Sequence, residues 1–360
     1  MPSKLGKDYP WTTGPIILNA PMAGIAGAPL ATAVSQAGGI GMIGADMDQD
    51  MEQLESHLAS AKSTFFSPSP PSTHTSTSTA ASFLKDTNTL PLGVGLLVFL
   101  LSPDAVLPVL KRHPPALVWL FAAREFGDYG TWAQALRAAC PDTKIWIQTG
   151  SASAALEIAR VCAPDVLVLQ GADAGGHGFA RGAGVISLLP EARDLLAAHG
   201  LSRVSLVAAG GIADGRGVAA ALALGAEAVA MGTRFLGAEE TQVHPAFRAA
   251  VLGARDGALS TVRAGVFDEL RGPSIWPGLY DGRALATESY ADWRRGVDIE
   301  SIRERYKEAV AGEDAGYKSR AAVWAGTGVG LVNEVKSAAT IVEGIREAAR
   351  TALGVALSSI

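Results

Sequence analysis

The stretch VSLVAAGGIADG, residues 204–215, joins a short apolar run to a pair of glycines and then to the start of a helix. Residues 204–208 are apolar almost throughout rather than alternating, which is typical of a strand buried on both faces of a parallel sheet. The helix predicted over 214–225 begins with Asp and ends with Gly, which are favoured at the start and the end of helices. The stretch is therefore one strand–loop–helix unit with glycines in its loop.

The same unit recurs along the chain. Further helices are predicted over 28–39 and 151–162, between short apolar runs. Eight such runs are predicted as strands: IILNA (16–20), IGMIG (40–44), LGVGLLVF (92–99), LVWLF (117–121), KIWIQ (144–148), VLVLQ (166–170), VSLVA (204–208) and EAVAM (227–231). This alternation predicts an α/β protein built as a closed (β/α)8 TIM barrel, with an open doubly wound sheet as the alternative.

Two segments do not follow the alternation. Residues 63–82 are rich in Ser, Thr and Pro and show neither helical nor strand periodicity, so 63–89 is predicted to be an inserted low-complexity loop. Residues 254–317 carry too little regular pattern for a separate second domain, and a helical or loop subdomain near the barrel mouth is predicted there. The barrel is then expected to comprise 1–253 together with 318–360, which include a final helix near 336–353.

The composition excludes several classes of function. Hydrophobic residues make up 48% of the 360 residues, charged residues only 18%, and the net charge is −5. No basic face for nucleic acid or polybasic run for a membrane surface is present. The two cysteines, Cys140 and Cys162, are interpreted as buried apolar residues, because neither has disulfide-framework or metal-ligand spacing. No signal peptide or membrane-spanning run is recognised, so a cytoplasmic protein is expected.

Glycines follow the last two predicted strands. Gly210 and Gly211 follow 204–208, while Gly232 and Thr233 follow 227–231. TIM barrels often bind phosphate in the loops after strands seven and eight, where backbone N–H groups and helix N-termini can face an anion. A phosphate site at these positions needs no lysine.

Other strand ends carry candidates for a flat ligand and its substrate. Pro21 and Met22 form a stiff turn after the first strand, and Gln148 and Gln170 end the fifth and sixth. Their amides could bond the edge of a heterocycle. His177 lies among glycines after the sixth strand, and imidazole exchanges protons near neutral pH. We therefore expect His177 to contact substrate or act in catalysis.

Five stretches together resemble the nitronate monooxygenase family, formerly called 2-nitropropane dioxygenases. They are APMAG, QGADAGGHG, AAGGIADG, AMGTRFL and VWAGTGVGL, and they span residues 15–335. The resemblance implies a TIM barrel that binds FMN and oxidises alkyl nitronates with O2 to a carbonyl compound and nitrite. It also implies that the histidine above the flavin is His177.

The predicted site follows from the strand ends and the resemblance together. His177 is the predicted catalytic residue. The predicted cofactor-binding residues are Ala20, Pro21, Met22, Gly95, Gln148, Gln170, Ala174, Gly175, Gly176, Ala209, Gly210, Gly211, Gly232 and Thr233. Many bacterial members have Asn where this chain has Gly95 and Lys where it has Gln148, so the chain looks more like the fungal-type branch.

The mechanism has two versions. A protonated His177 would stabilise the nitro oxygens of a nitronate, whereas a neutral His177 could remove the α-proton of a nitroalkane. The partners are then a nitronate or nitroalkane and O2, with no metal, and a homodimer is left open. Three other functions are considered: an FMN-dependent enoyl-thioester reductase using NAD(P)H, a flavin-free phosphosugar enzyme, and a non-catalytic barrel that binds FMN or another ligand.

Overall fold

The computed structural model describes residues 3–47, 51–67 and 75–359. The strands of this part of the chain are β1 (Ile16–Asn19), β2 (Gly41–Gly44), β3 (Leu90–Leu97), β4 (Pro115–Phe121), β5 (Lys144–Thr149), β6 (Val166–Gln170), β7 (Gly176–Phe179), β8 (Ser205–Ala209), β9 (Ala228–Met231), β10 (Thr261–Arg263) and β11 (Tyr280–Leu285). Each of the eight predicted strands overlaps one of these, and β7, β10 and β11 are additional.

Helices separate most of the strands. They are α1 (Lys4–Asp8), α2 (Ala28–Gln36), α3 (Glu52–Phe66), α4 (Thr75–Thr87), α5 (Pro103–Arg112), α6 (Phe126–Ala139), α7 (Ala152–Cys162), α8 (Val185–Ala198), α9 (Gly215–Ala223), α10 (Pro245–Gly253), α11 (Gly257–Ser260), α12 (Val266–Glu269), α13 (Glu288–Arg294), α14 (Ile299–Val310) and α15 (Ala338–Leu357). Short 3-10 helices cover Thr233–Gly237 and Thr327–Leu331. Among the described residues, none of these helices is long and apolar enough to span a bilayer.

The barrel is a parallel sheet of eight strands in the order β1-β9-β8-β6-β5-β4-β3-β2. Its two end strands meet at a parallel bridge between Leu18 and Ile40. The Asn19 side chain extends this seam: its Nδ2 donates to the Met42 carbonyl oxygen at 2.8 Å, and its Oδ1 accepts from the Met42 N–H at 2.9 Å. The sheet is therefore closed, and the prediction of a TIM-like barrel of eight parallel strands is confirmed.

Aromatic side chains fill the barrel end opposite the strand C-termini. Trp146 lies two positions before Gln148 on β5, so both side chains point to the same face. The Trp146 Nε1–H donates to the Tyr9 hydroxyl at 2.7 Å, and both side chains are buried. The N-terminal segment thus covers this end, which leaves the strand C-termini as the accessible end.

The segment after β9 contains strands as well as the predicted helices and loops. Strands β10 and β11 pair with each other, and β11 also pairs antiparallel with β7, which follows barrel strand β6. The region therefore has a small sheet as well as helices α11 to α14. These strands were missed because none of them is a continuous apolar run, and because β11 pairs with β7, which is far away in sequence. Helix α15 returns to the barrel and packs against α9 and α2.

The predicted loop over 63–89 is mostly helical in the part that the structure describes. Helix α3 extends to Phe66 and helix α4 covers Thr75–Thr87, while residues 68–74 lie outside the described part of the chain. Ala80 and Leu84 are one helical turn apart and fully or nearly fully buried. Helix α4 packs on α2 and β3, so tertiary burial of this apolar stripe outweighs its weak helix propensity.

Candidate active site

One cavity of about 780 Å³ opens at the C-terminal end of the barrel strands. All fifteen residues predicted for the site line it. They are Ala20, Pro21, Met22, Gly95, Gln148, Gln170, Ala174, Gly175, Gly176, His177, Ala209, Gly210, Gly211, Gly232 and Thr233. The volume lies within the range of small-molecule and cofactor pockets. The structure thus brings the predicted set together, while the role of each member stays a prediction.

Small side chains make room for a ligand at the ends of β1, β8 and β9. Ala20, Ala209 and Ala230 line the cavity at these three ends. Gly176 faces it too, since a Cβ added there would meet no atom within 4 Å. Larger side chains at these positions would occupy the space, so the sequence keeps the barrel mouth open.

The glycine loop after β8 presents backbone N–H groups. Gly210 and Gly211 both have positive φ angles, +102° and +74°, which L side chains rarely adopt. Among the described residues, none accepts a hydrogen bond from the N–H of Gly211 or of Thr233. The Thr233 hydroxyl accepts from the Gly326 N–H at 3.0 Å, which leaves its own proton to donate. These groups together can bind an anion.

The N-terminus of helix α9 is capped by the side chain of its own N-cap residue. Its N-cap, Asp214, accepts hydrogen bonds from the N–H groups of Arg216 and Gly217 at 3.0 and 3.2 Å. A carboxylate therefore already caps the positive end of this helix. An anion in the cavity would rely on the preceding glycine loop and on the start of the 3-10 helix at Thr233.

Segment 323–331 covers the glycine loop from the far end of the chain. The Thr327 N–H donates to the Asp173 carbonyl oxygen at 3.0 Å. Gly328 lies so close to the Gly211 carbonyl that an added Cβ would be 2.7 Å from its oxygen. Glycines in this segment therefore allow direct backbone contact with the predicted phosphate-binding loop.

The two glutamines differ in what they can offer a ligand. The Gln148 Oε1 accepts from the Trp119 Nε1–H at 3.0 Å, so its amide N–H groups are free to donate into the cavity. The Gln170 Nε2 donates instead to the carbonyl oxygen of His177 at 3.1 Å. Gln148 thus offers its amide N–H groups to the cavity, whereas Gln170 lines the cavity but supports β7.

His177 lies on β7, opposite Gly282 of β11. Its Nε2 is 2.7 Å from Oδ1 of Asp268 in helix α12. The histidine and aspartate side chains are only 14% and 6% exposed. Sequence reasoning missed Asp268, because the two residues are 91 positions apart and no motif joins them.

Two tryptophans flank the imidazole. The Trp276 ring stacks on the His177 ring with centroids 3.6 Å apart and an angle of 7° between planes, and the Trp324 centroid is 4.8 Å away. Both tryptophans line the cavity. Trp324 falls in the recognised stretch VWAGTGVGL, but nothing in the sequence connects Trp276 with the site. The cavity wall around His177 is therefore aromatic.

The outer wall carries one hydrogen-bonded cation. The Arg271 Nε donates to the Tyr306 hydroxyl at 3.0 Å, and this bond raises the pKa of Arg271 above its usual value. Both residues line the cavity. Elsewhere the lining is mostly apolar or glycine backbone.

The chain is similar to known proteins in sequence and in fold. The family model described as nitronate monooxygenase matches residues 137–347. The protein named nitronate monooxygenase npaC from Metarhizium robertsii is 40% identical over 97% of this chain and 95% of its own. A nitronate monooxygenase from Neurospora crassa is 40% identical over 97% of this chain and 92% of its own. In fold, FabK from Thermotoga maritima superposes with a TM-score of 0.73 at 23% identity, and the match covers 100% of both chains.

Proposed function

The chain belongs to the nitronate monooxygenase family and is an enzyme with nitronate monooxygenase activity, and we propose that this activity depends on FMN held at the barrel mouth and on His177 beside the substrate. Family membership implies a flavin. The products expected from an alkyl nitronate and O2 are a carbonyl compound and nitrite. The observation that carries the proposal is the glycine loop and Thr233, which face the same cavity as His177.

The residues present fit the phosphate of FMN. The free N–H groups of Gly211 and Thr233 and the Thr233 hydroxyl are donors suited to a phosphate. Their glycine backbone permits close approach, and no lysine is needed because backbone dipoles supply the positive potential. These residues would hold the 5′-phosphate.

Other residues fit the ring. The Gln148 amide, oriented by Trp119, can donate to a carbonyl or ring nitrogen of the isoalloxazine. Pro21, Met22 and Gly95 line the same cavity at the ends of β1 and β3 and offer backbone and apolar surface to a flat ring. FMN, when bound, supplies the electron transfer from the nitronate to O2.

His177 and its aromatic neighbours are the protein residues that act on the substrate. Trp276 and Trp324 restrict water around the imidazole, which strengthens its interaction with a charged substrate. A protonated imidazole donates to the nitro oxygens of a nitronate. A neutral imidazole accepts the α-proton of a nitroalkane and so generates the nitronate within the site.

A His177→Asn variant tests the proposal. We expect the purified wild-type protein to be yellow, to release FMN on denaturation, and to oxidise both ethylnitronate and nitroethane. H177N should keep FMN, while its kcat/KM for nitroethane falls by about 10²-fold or more, the usual contribution of a general base. The measurements are O2 consumption, nitrite release and the flavin spectrum.

Two results would contradict the proposal. Unchanged rates with both substrates in FMN-loaded H177N would remove His177 from the chemistry. Anaerobic bleaching of the flavin by NADH but not by ethylnitronate would favour an enoyl-thioester reductase. A control variant, His199→Asn, replaces an exposed histidine at the end of α8 and should leave both rates unchanged.

A further inference from the structure

We propose that Asp268 is a positioning residue for His177: it accepts a hydrogen bond from Nε2–H and so leaves Nδ1 as the atom that takes the α-proton of a neutral nitroalkane. This rests on the proposed function. It adds which nitrogen of the His177 base carries the proton and which residue accepts a hydrogen bond from it. The proton of the broken C–H bond goes to Nδ1, and the bonding electron pair stays on the substrate and delocalises into the nitro group, giving the nitronate. The resulting imidazolium is then paired with the Asp268 carboxylate.

The contact itself fixes the tautomer. A carboxylate has no proton to give, so at 2.7 Å the imidazole Nε2 must be the donor. A neutral imidazole carries one N–H, and with that proton on Nε2 the lone pair is on Nδ1. Among the described residues, none hydrogen-bonds Nδ1 of His177. The nitrogen left free is therefore the basic one.

The ring is held in this orientation from several sides. Trp276 covers one face of the imidazole in a parallel stack, and the tilted Trp324 ring lies nearby. The backbone of His177 is fixed by pairing with β11 and by the hydrogen bond from Gln170. Exchange of Nδ1 and Nε2 by a ring flip would have to break the Trp276 stack and the Asp268 bond together.

Helix α12 is anchored independently of the Asp268 carboxylate. Val266, Phe267 and Leu270 are buried in a core shared with Ile302 of α14. The Arg303 Nε donates to the Glu269 carbonyl oxygen at 2.8 Å. The backbone at Asp268 is thus placed by packing, so a change in its side chain should not displace the helix.

Other charges near β7 are engaged elsewhere. Arg263 on β10 pairs with Asp281 on β11, and Arg283 on β11 donates to the Ala172 carbonyl oxygen. Within the described part of the chain, the ion pair of His177 is with Asp268. An Asp268 variant therefore leaves the imidazole without a carboxylate partner.

Asp268→Asn and Asp268→Glu variants, compared with wild type, test the inference. Asn can donate its amide to Nε2 and so favour the tautomer with the proton on Nδ1, which cannot act as a base. We expect kcat/KM for freshly dissolved nitroethane to fall by about 10²-fold in D268N. Ethylnitronate, which needs no base, should be oxidised at nearly the wild-type rate, and D268E should recover part of the loss. Glu269→Gln, on the same helix, is the matched control and should behave as wild type.

A second measurement needs no variant. ¹⁵N NMR of histidine-labelled wild-type protein should show His177 with its proton on Nε2, and a proton on Nδ1 would overturn the inference.

Equal losses with nitroethane and ethylnitronate in D268N, or no loss with either, would overturn it too. Wild-type protein active on ethylnitronate but not on nitroethane would overturn it, together with the role of His177 as a base, while leaving the proposed FMN-dependent oxidation of nitronates intact. Inactivity of FMN-loaded wild type on both substrates would instead overturn the proposed function, and the inference with it.

Discussion

Gly95 lies where strand β3 passes beneath the turn that follows β1. A Cβ added at this position would be 2.3 Å from the Cβ and 2.6 Å from the Cγ of Pro21. Real Cβ atoms do not approach so closely, and the stiff proline ring cannot turn aside. The absence of a side chain at Gly95 is therefore required by the Pro21 turn, which itself lines the cavity.

Gly95→Ala is expected to displace Pro21 and to weaken both folding and FMN binding. Overpacking of a tight site usually costs about 1–3 kcal/mol in the free energy of unfolding. Urea unfolding and FMN titration measure the two effects. Gly127→Ala is the control, because Gly127 is exposed on α6 and an added Cβ there meets nothing within 4 Å. Equal behaviour of the two variants would contradict the steric explanation.

Trp119 orients Gln148 through the hydrogen bond to its Oε1. Trp119→Phe removes that donor, so the amide can turn and its N–H groups lose their orientation. We expect FMN to bind more weakly by about 1 kcal/mol, or roughly fivefold to tenfold in Kd. Fluorescence titration of the apoprotein with FMN measures this change.

Trp146→Phe is the matched control for Trp119→Phe. The Trp146 indole bonds Tyr9 at the other end of the barrel, so its loss should lower stability without changing the Kd for FMN. A similar loss of FMN affinity in both variants would indicate general damage to the barrel, and would remove the case for Gln148 as a ligand.

The sequence indicates some site residues and conceals others for a physical reason. Gly210, Gly211, Thr233 and His177 follow recognisable strands, and the ends of parallel strands must meet at one end of a barrel. Asp268 and Trp276 reach the site from segments whose strands and helices are short, and their contacts depend on how β11 pairs with β7. Local patterns carry no information on such pairing. The start of α9 was predicted from Asp214, but the sequence does not show that this side chain uses the helix N–H groups that a bound anion could have used.

At the scale of elements, β7 links the barrel to the segment after β9. Its sequence, GHGF, has two glycines in four residues, a composition typical of a loop. It is a strand because β11 pairs with it, from Tyr280 opposite Phe179 to Arg283 opposite Gly176. The element that carries His177 thus depends on the segment that carries Asp268.

Helices α13 and α14 are joined by a carboxylate shared among three arginines. Asp292 is 2% exposed and accepts hydrogen bonds from Arg320 and Arg305, each at 2.8 Å, and from Arg295. The Arg320 hydrogen bond, with those of Arg305 and Arg295, lowers the pKa of Asp292 to about 2. The carboxylate therefore stabilises this region only while it is ionised.

Asp292→Asn is expected to destabilise the segment by about 2–3 kcal/mol, since hydrogen bonds to a charged group are worth about 1.5–3 kcal/mol. A larger loss is not expected, because Arg295 and Arg305 stay partly exposed and can turn to solvent. Hydrogen exchange of α13 and α14 amides and urea unfolding measure the effect. Glu300→Gln, which breaks an exposed pair with Arg303, should change stability by less than about 0.5 kcal/mol.

The difference in stability between wild type and D292N should depend on pH, and the sign of that dependence follows from the pKa of Asp292. The folded-state pKa of Asp292, about 2, lies below the value of about 3.9 for an unfolded chain. Its stabilisation is therefore fully present above pH ~5 and is lost as pH falls from about 4 to about 2. The stability difference between wild type and D292N should be flat near neutral pH and shrink below about pH 4. A difference that grows toward acid would contradict this assignment.

For the whole molecule, the barrel could be predicted because its strands are buried on both faces. All residues of β1, β4, β8 and β9 are buried, so each appears in the sequence as a run that is apolar apart from Asn19 in β1 and Ser205 in β8. The small sheet could not be predicted in this way, because β11 alternates buried and half-buried residues over six positions and pairs with a strand about 100 residues away. A strand buried on both faces can be recognised from its own residues, whereas the pairing of β11 with β7 depends on residues that are far apart in the chain.

The two cysteines report on opening of the whole molecule. Cys140 and Cys162 belong to the main core, and burial raises the pKa of both thiols, that of Cys162 to about 11. At pH 8 a thiol reagent should therefore label neither cysteine until the core opens.

FMN should slow this labelling, because it binds the native state and lowers the population of open molecules by the factor 1 + [FMN]/Kd. At an FMN concentration of 100 Kd the rate should fall about 100-fold. Riboflavin, which lacks the 5′-phosphate, is the matched ligand control, and at the same concentration it should protect much less if Gly211 and Thr233 bind the phosphate. Equal protection by riboflavin would mean that the phosphate contributes nothing to binding. If neither flavin slows the labelling, α6 and α7 must open locally while the barrel mouth stays folded.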